Sequence, residues 1–188
     1  MRAVGTGSSP SVVDQASPDV MDDEFVAKVF PSLHRAAWRM TGDASAAEDL
    51  AQETLIVAMR TWNTFQGRSS RSTWLHGILI QLTRKHFRSL ARFRRRIERY
   101  VGLSGKTETQ PDSVEAVASE EWRQSIWSQV QTLPRHQAEA ITLRYGQQLT
   151  YDEIAAAVGC AVGTAKSRVH EGIKRLRQMN HDIDETLD

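Results

Sequence analysis

Residues 150–177, TYDEIAAAVGCAVGTAKSRVHEGIKRLR, decide the fold because they read as two helices joined by a tight glycine turn. Thr150 is a good N-cap with Glu153 three residues on, and Ile154, Ala155 and Val158 recur at helical spacing up to Gly159. After Cys160 a second helix sets Ala165, Val169, Gly172 and Leu176 on one arc, with Ile173 at its edge. Lys166, Ser167, His170 and Lys174 fall on the opposite side, with Arg168 and Arg175 on the flanks. Such a face offers donors to phosphates and base edges, and such a helix pair can lay its second helix in a DNA groove. Ordinary helix hairpins share the pattern, so the rest of the chain has to discriminate.

A chain of 188 residues with 40% hydrophobic residues predicts one domain or two small ones with modest cores. The net charge of +1 hides two opposite faces. Arginine and lysine crowd residues 84–99, while acids collect at 22–24, 48–53 and 108–121. The single cysteine, Cys160, excludes an internal disulfide and a multi-cysteine zinc site and is expected to pack in the turn. The six histidines show no metal-site spacing, so neither metal nor cofactor is expected. No stretch has the length and apolarity of a signal peptide or a membrane span, which predicts a soluble protein.

Nothing alternates apolar and polar residues over a strand's length, so the fold class is all-α. Residues 1–20, rich in Gly, Ser, Pro and Asp, predict a disordered leader. A first helical domain is expected over 21–100 and a flexible linker over 101–116. A second domain of four short helices follows over 117–180, then a tail at 181–188. The tryptophans Trp38, Trp62, Trp74, Trp122 and Trp127 fall mostly on apolar arcs and are expected as core anchors.

In the first domain, SAAEDLAQETLIVAMRTW predicts a helix opened by a capping box of Ser45 and Glu48, with Ala47, Leu50, Ala51, Leu55, Ala58 and Trp62 facing inward. Asp49, Gln52, Glu53, Ile56 and Arg60 lie on the other side, an acidic patch with one apolar residue that suits a basic helical partner. The next helix starts near Ser72 or Thr73, with Trp74, Leu75, Ile78, Leu79 and Leu82 inward and Gly77, Gln81, Arg84 and Arg88 in an outer stripe. That stripe, continued by Arg92, Arg94, Arg95, Arg96 and Arg99, predicts nucleic-acid contact. The small polar residues at 66–72, among them Gln66, Arg68 and Ser69, form a loop suited either to plain connection or to an extruded base.

Taken together, GDASAAEDLAQETL, STWLHGIL and LPRHQAEAITLRYGQQLTYDEIAAAVGCAVGTAKSRVHEGIKRLR, in this order, resemble the extracytoplasmic function (ECF) subgroup of bacterial sigma factors over about residues 25–178. The resemblance implies two sigma domains, the second and the fourth, in a dissociable RNA polymerase subunit with no enzymatic activity. It implies that Asp49, Gln52, Glu53 and Ile56 dock on the coiled coil of the largest polymerase subunit, with the flap region as a further contact. Gln81, Arg84 and Arg88 are then expected to read the −10 element, and Gln66, Arg68 and Ser69 to belong to the loop that captures a flipped base. Lys166, Ser167 and His170 are expected to enter the −35 major groove, with Thr164 and Arg168 on phosphates. Glu108, Asp112 and Glu115 of the linker are expected to mimic nucleic acid inside the polymerase. An anti-sigma factor, membrane-anchored in many members, is implied as partner of a cytoplasmic protein that it can hold at the inner membrane face. The chain departs from the family at Gln81, Lys85, Gly77 and Ile80, so its promoter sequence cannot be read off. The competing reading is a stand-alone helix-turn-helix regulator, with the first domain as dimerisation or sensor module. A magnesium nuclease has little support, because no motif converges the carboxylates.

Overall fold

The computed structural model describes residues 21–101 and 118–185, and every regular element among them is helical. The leader, most of the linker with Glu108, Asp112 and Glu115, and the side chain of Trp122 lie outside the described residues. Helix α1 (Asp23–Thr41) is capped by Asp22, whose carboxylate accepts from the Phe25 N–H, and closes on Gly42 at φ 71°. Helix α2 (Ala44–Thr61) follows and runs into a 3-10 turn at Trp62–Thr64. Helix α3 (Arg71–Val101) is the longest element, 31 residues or roughly 46 Å. Ser70 caps it, accepting from the Thr73 N–H at 3.1 Å.

The cap of α2 differs from expectation. Asp43, not Ser45, is the N-cap, and its carboxylate accepts from the Ala46 N–H at 2.8 Å. The left-handed Gly42 hands the chain to Asp43 in an extended conformation, so the helix starts one residue before Ser45. Glu48 instead accepts from Gln52, one turn on.

Helices α4 (Ala118–Thr132) and α5 (Arg135–Ile141) lead into a π turn at Thr142–Gly146. Helices α6 (Tyr151–Val158) and α7 (Val162–Glu185) complete the chain. The capping box of Thr150 and Glu153 is present, and Gly159 ends α6 in the left-handed region. Helix α7 has 24 residues and so is not short, and it continues into the stretch expected as tail. Tyr145 is 56% exposed, because the π turn shifts the register after Ile141.

The two expected cores are in fact largely one. Leu33, Leu50, Leu55, Leu75, Leu79 and Ile80 of the first half share a continuous apolar cluster with Leu143, Leu149, Ile154, Ala157 and Ala165 of the second. Full burial of each large aliphatic side chain is worth about 1.5–3 kcal/mol. A smaller cluster of Val130, Leu133, Ala138 and Ile141 joins α4 and α5 to Ile173, Leu176 and Met179 of α7. Gly172 lets α7 approach α5 closely, since a Cβ there would stand 3.0 Å from Ile141.

Candidate nucleic-acid and polymerase interface

Three exposed surfaces carry the functional candidates. The first is on α2, where Asp49, Gln52, Glu53 and Ile56 are all exposed while Ala47, Leu50, Ala51, Thr54, Leu55 and Ala58 are buried on the opposite arc. Lys85 of α3 stands 3.4 Å from Glu53 in an exposed pair, which leaves Asp49 as the patch's open carboxylate beside Ile56. Met59, 54% exposed, extends the apolar side of this patch by one turn beyond Ile56. Sequence reading passed over it, although its i+3 spacing from Ile56 was the available signal.

The second surface is the loop before α3 and the outer side of that helix. Gln66 and Arg68 are exposed and Ser69 is half-buried, whereas Arg71 and Ser72 already belong to α3. Beside the loop stands an aromatic cluster in which Phe65 and Trp74 have centroids 5.3 Å apart, and Trp62 and Trp74 5.7 Å. Gln81 and Arg88 are exposed, as are Arg92, Arg94, Arg95, Arg96 and Arg99.

Gly77 and Arg84, read as members of the same outer stripe, are covered by the second half of the chain. A Cβ on Gly77 would lie 3.2 Å from the Ala157 carbonyl oxygen of α6, so glycine is what allows the two helices to touch. Arg84 donates from Nε and Nη2 to the two carboxylate oxygens of Glu139, at 2.9 and 2.6 Å. The Glu139 side chain is only 2% exposed. These bonds raise the Arg84 guanidinium above its ordinary value, against the opposing effect of burial.

The same seam holds further polar contacts. Arg39 Nη1 donates to the Gly146 carbonyl at 2.8 Å, and Ser32 Oγ donates to Gln147 Oε1 at 2.5 Å. Thr73 Oγ1 donates to Glu153 Oε1 at 3.4 Å. His76, buried beneath this seam, meets the Ser72 carbonyl through Nδ1 at 2.8 Å. Burial pulls its imidazole below the ordinary value, opposed by the Ser72 carbonyl and then by Gln147.

The third surface is the start of α7. Thr164, Lys166, Ser167 and His170 are exposed and Arg168 is half-buried, while Ala165 and Val169 are buried in the core. Ser167 Oγ donates back to the Gly163 carbonyl at 3.0 Å. Lys166 Nζ stands 5.8 Å from the Tyr151 ring centroid, and Arg144 lies over the same ring at 4.9 Å. Cys160 is half-buried against the core, and its Sγ lies 3.4 Å from the Ala161 carbonyl oxygen. Among the described residues no group of three or more His, Cys, Asp or Glu side chains converges as a metal site. Among them, too, no helix is long and apolar enough to cross a membrane.

Residues 25–93 match the family Sigma-70 region 2, and residues 123–176 match Sigma-70, region 4. The chain is 37% identical over 159 residues to the ECF RNA polymerase sigma factor EcfG of Rhodopseudomonas palustris, covering 84% of this chain and 83% of that protein. It is 30% identical over 163 residues to the ECF RNA polymerase sigma factor SigW of Bacillus subtilis, covering 80% and 84%. Among solved structures it resembles the sigma factor RpoE from Bartonella quintana, solved in complex with the anti-sigma factor NepR. The TM-score there is 0.63, with 29% identity over 84% of this chain and 95% of that one. The chain belongs to the sigma-70 family of RNA polymerase sigma factors, in its ECF subgroup.

Proposed function

We propose that the three exposed surfaces divide the work of an alternative sigma factor among themselves. The α2 patch of Asp49, Gln52, Glu53 and Ile56 docks on a basic, partly apolar coiled coil of core RNA polymerase. Gln81 and Arg88 read the −10 element, joined by Arg84 on leaving Glu139, and the loop with Gln66, Arg68 and Ser69 receives a flipped base beside the aromatic cluster. Lys166, Ser167 and His170 read −35 base edges, and Thr164 and Arg168 hold its phosphates. The chain is a binding subunit of the cytoplasm, not an enzyme. Its likeness to a sigma factor solved with an anti-sigma factor supports an anti-sigma partner here too.

The observation that carries this reading is the pairing, in one chain, of an exposed acid-apolar stripe on α2 with an exposed basic helix-turn-helix face on α7. Transcription in vitro with purified core polymerase and a pooled genomic promoter library tests it. New start sites that need the chain, lost with Asp49→Arg and weakened by Lys166→Ala/His170→Ala, are the expected result. Sequence-specific DNA binding by the chain alone, with no polymerase-dependent start, would instead establish the stand-alone regulator.

A further inference from the structure

Past the buried Leu82 and Thr83, α3 runs out into solvent. Every residue from Arg88 to Arg99 is exposed, a stretch of roughly 18 Å. Leu90, Phe93 and Ile97 recur along it at helical spacing, which sets them on one face, and they are 48%, 62% and 45% exposed. Around them stand Arg88, Arg92, Arg94, Arg95, Arg96 and Arg99, against the acid Glu98. Phosphate binding uses such arginines but gives the apolar face no purpose. That face fits a partner that is apolar along a stripe and acidic at its margin.

The chain itself displays such a surface. On α2, Ile56 and Met59 are 42% and 54% exposed, and the exposed Asp49 and Glu53 precede them on the same side. That stripe already accepts a cation of α3, since Lys85 Nζ stands 3.4 Å from Glu53 Oε1. Within one molecule the two surfaces do not cover each other. Both stand exposed, and α3 is one unbroken helix anchored by buried Leu75, Leu79 and Leu82, so its far end cannot turn back onto the outer side of α2. A net charge of +1 leaves two copies with little repulsion to overcome. Arg60, at the far end of the α2 stripe, repels incoming arginines and directs them to the Asp49 end.

We propose that a second copy of this chain is the partner: the end of α3 in one molecule seats on the α2 stripe of another. Leu90, Phe93 and Ile97 then cover Ile56 and Met59, and the arginines stand beside Asp49 and Glu53. The contact joins two different surfaces, so it is heterologous. A helix end of this length buries less than a standard interface, which sets the self-association in the micromolar range. One α2 stripe cannot hold both another copy and the polymerase, so self-association hides the docking patch and polymerase disperses the assembly. That competition rests on the polymerase-docking reading of the patch; the self-contact does not.

The test is sedimentation velocity on the full chain as wild type, Asp49→Arg, Phe93→Glu/Ile97→Glu and Arg95→Glu/Arg96→Glu, all at exposed positions. Wild type is expected to gain mass with concentration at low salt and to lose it at high salt. With helicity by circular dichroism unchanged, each variant alone is expected to associate at least about tenfold more weakly. An equimolar mixture of Asp49→Arg with Phe93→Glu/Ile97→Glu offers one intact α3 end and one intact α2 stripe. It is expected to restore a dimer and nothing larger, which a symmetric contact would not do. A wild type still monomeric at about 100 µM, folded variants that associate like it, or a mixture that stays apart overturns the proposal. Core polymerase added to the wild-type assembly is expected to leave one chain per polymerase. An assembly that polymerase does not disperse would overturn the docking reading of α2 and with it the competition, while the mixture still decides the self-contact.

Discussion

Arg39 holds its guanidinium 4.4 Å from the centroid of the Trp127 ring while donating to the Gly146 carbonyl, so one side chain of α1 grips both α4 and the π turn. Burial, and secondarily the nearby Arg35, pull that guanidinium below its ordinary value, the mark of a cation taken partly out of water. Arg39→Ala is expected to cost about 1–3 kcal/mol, from a cation–π contact and a charged hydrogen bond together. Urea denaturation of the two proteins measures it, and Arg39→Lys should recover only part of the loss because it lacks the planar group.

Asp49→Arg places a cation on the exposed α2 stripe, where no core contact is disturbed. The melting temperature is expected to stay within about 2 °C of wild type, while affinity for core polymerase falls at least about tenfold. Ile56→Asp should act in the same direction. Competition binding against labelled wild-type chain reads both, and a drop in melting temperature equal to the loss of binding would point to misfolding instead.

Lys166→Ala removes one donor from the exposed side of α7 without touching Ala165 or Val169 beneath it. Loss of a base contact is expected to weaken binding to a −35 duplex by about 1–3 kcal/mol and to relax preference at one base pair. Arg168→Ala, at the proposed phosphate contact, should instead weaken all sequences alike and reduce the salt slope by about one. Titrations at several salt concentrations separate the two.

His76 predicts a pH dependence of stability. Its folded-state value lies below the unfolded one, so the unfolded chain binds the extra proton first as pH falls. The His76 contribution is complete above the ordinary histidine range, near pH 6.5, and is lost as pH drops through and below it. The slope cannot exceed about 1.4 kcal/mol per pH unit for one group. Chemical denaturation at pH 7.5 and 5.5 should show a loss that His76→Gln reduces; an equal loss in the variant would assign it to other groups.

Helix periodicity made most of this fold legible. The Thr150–Glu153 box and the arc of Ala165, Val169 and Gly172 stand where spacing puts them, as do Leu75, Leu79 and Leu82 on α3. Periodicity identifies an apolar face but says nothing of what another segment lays over the opposite one. Gly77 and Arg84 therefore read as an open stripe, because the contact joining Arg84 to Glu139 spans 55 positions. Ser45 misled for a local reason: Asp43, two residues earlier, is an equally good cap, and the left-handed Gly42 before it settled the choice.

The continuous apolar cluster that joins Leu75 and Leu79 to Leu143 and Ile154 ties the fate of the two halves of the chain together. Damage to the packing of either half reaches the other, so the α2 stripe and the α7 face are kept or lost as a pair.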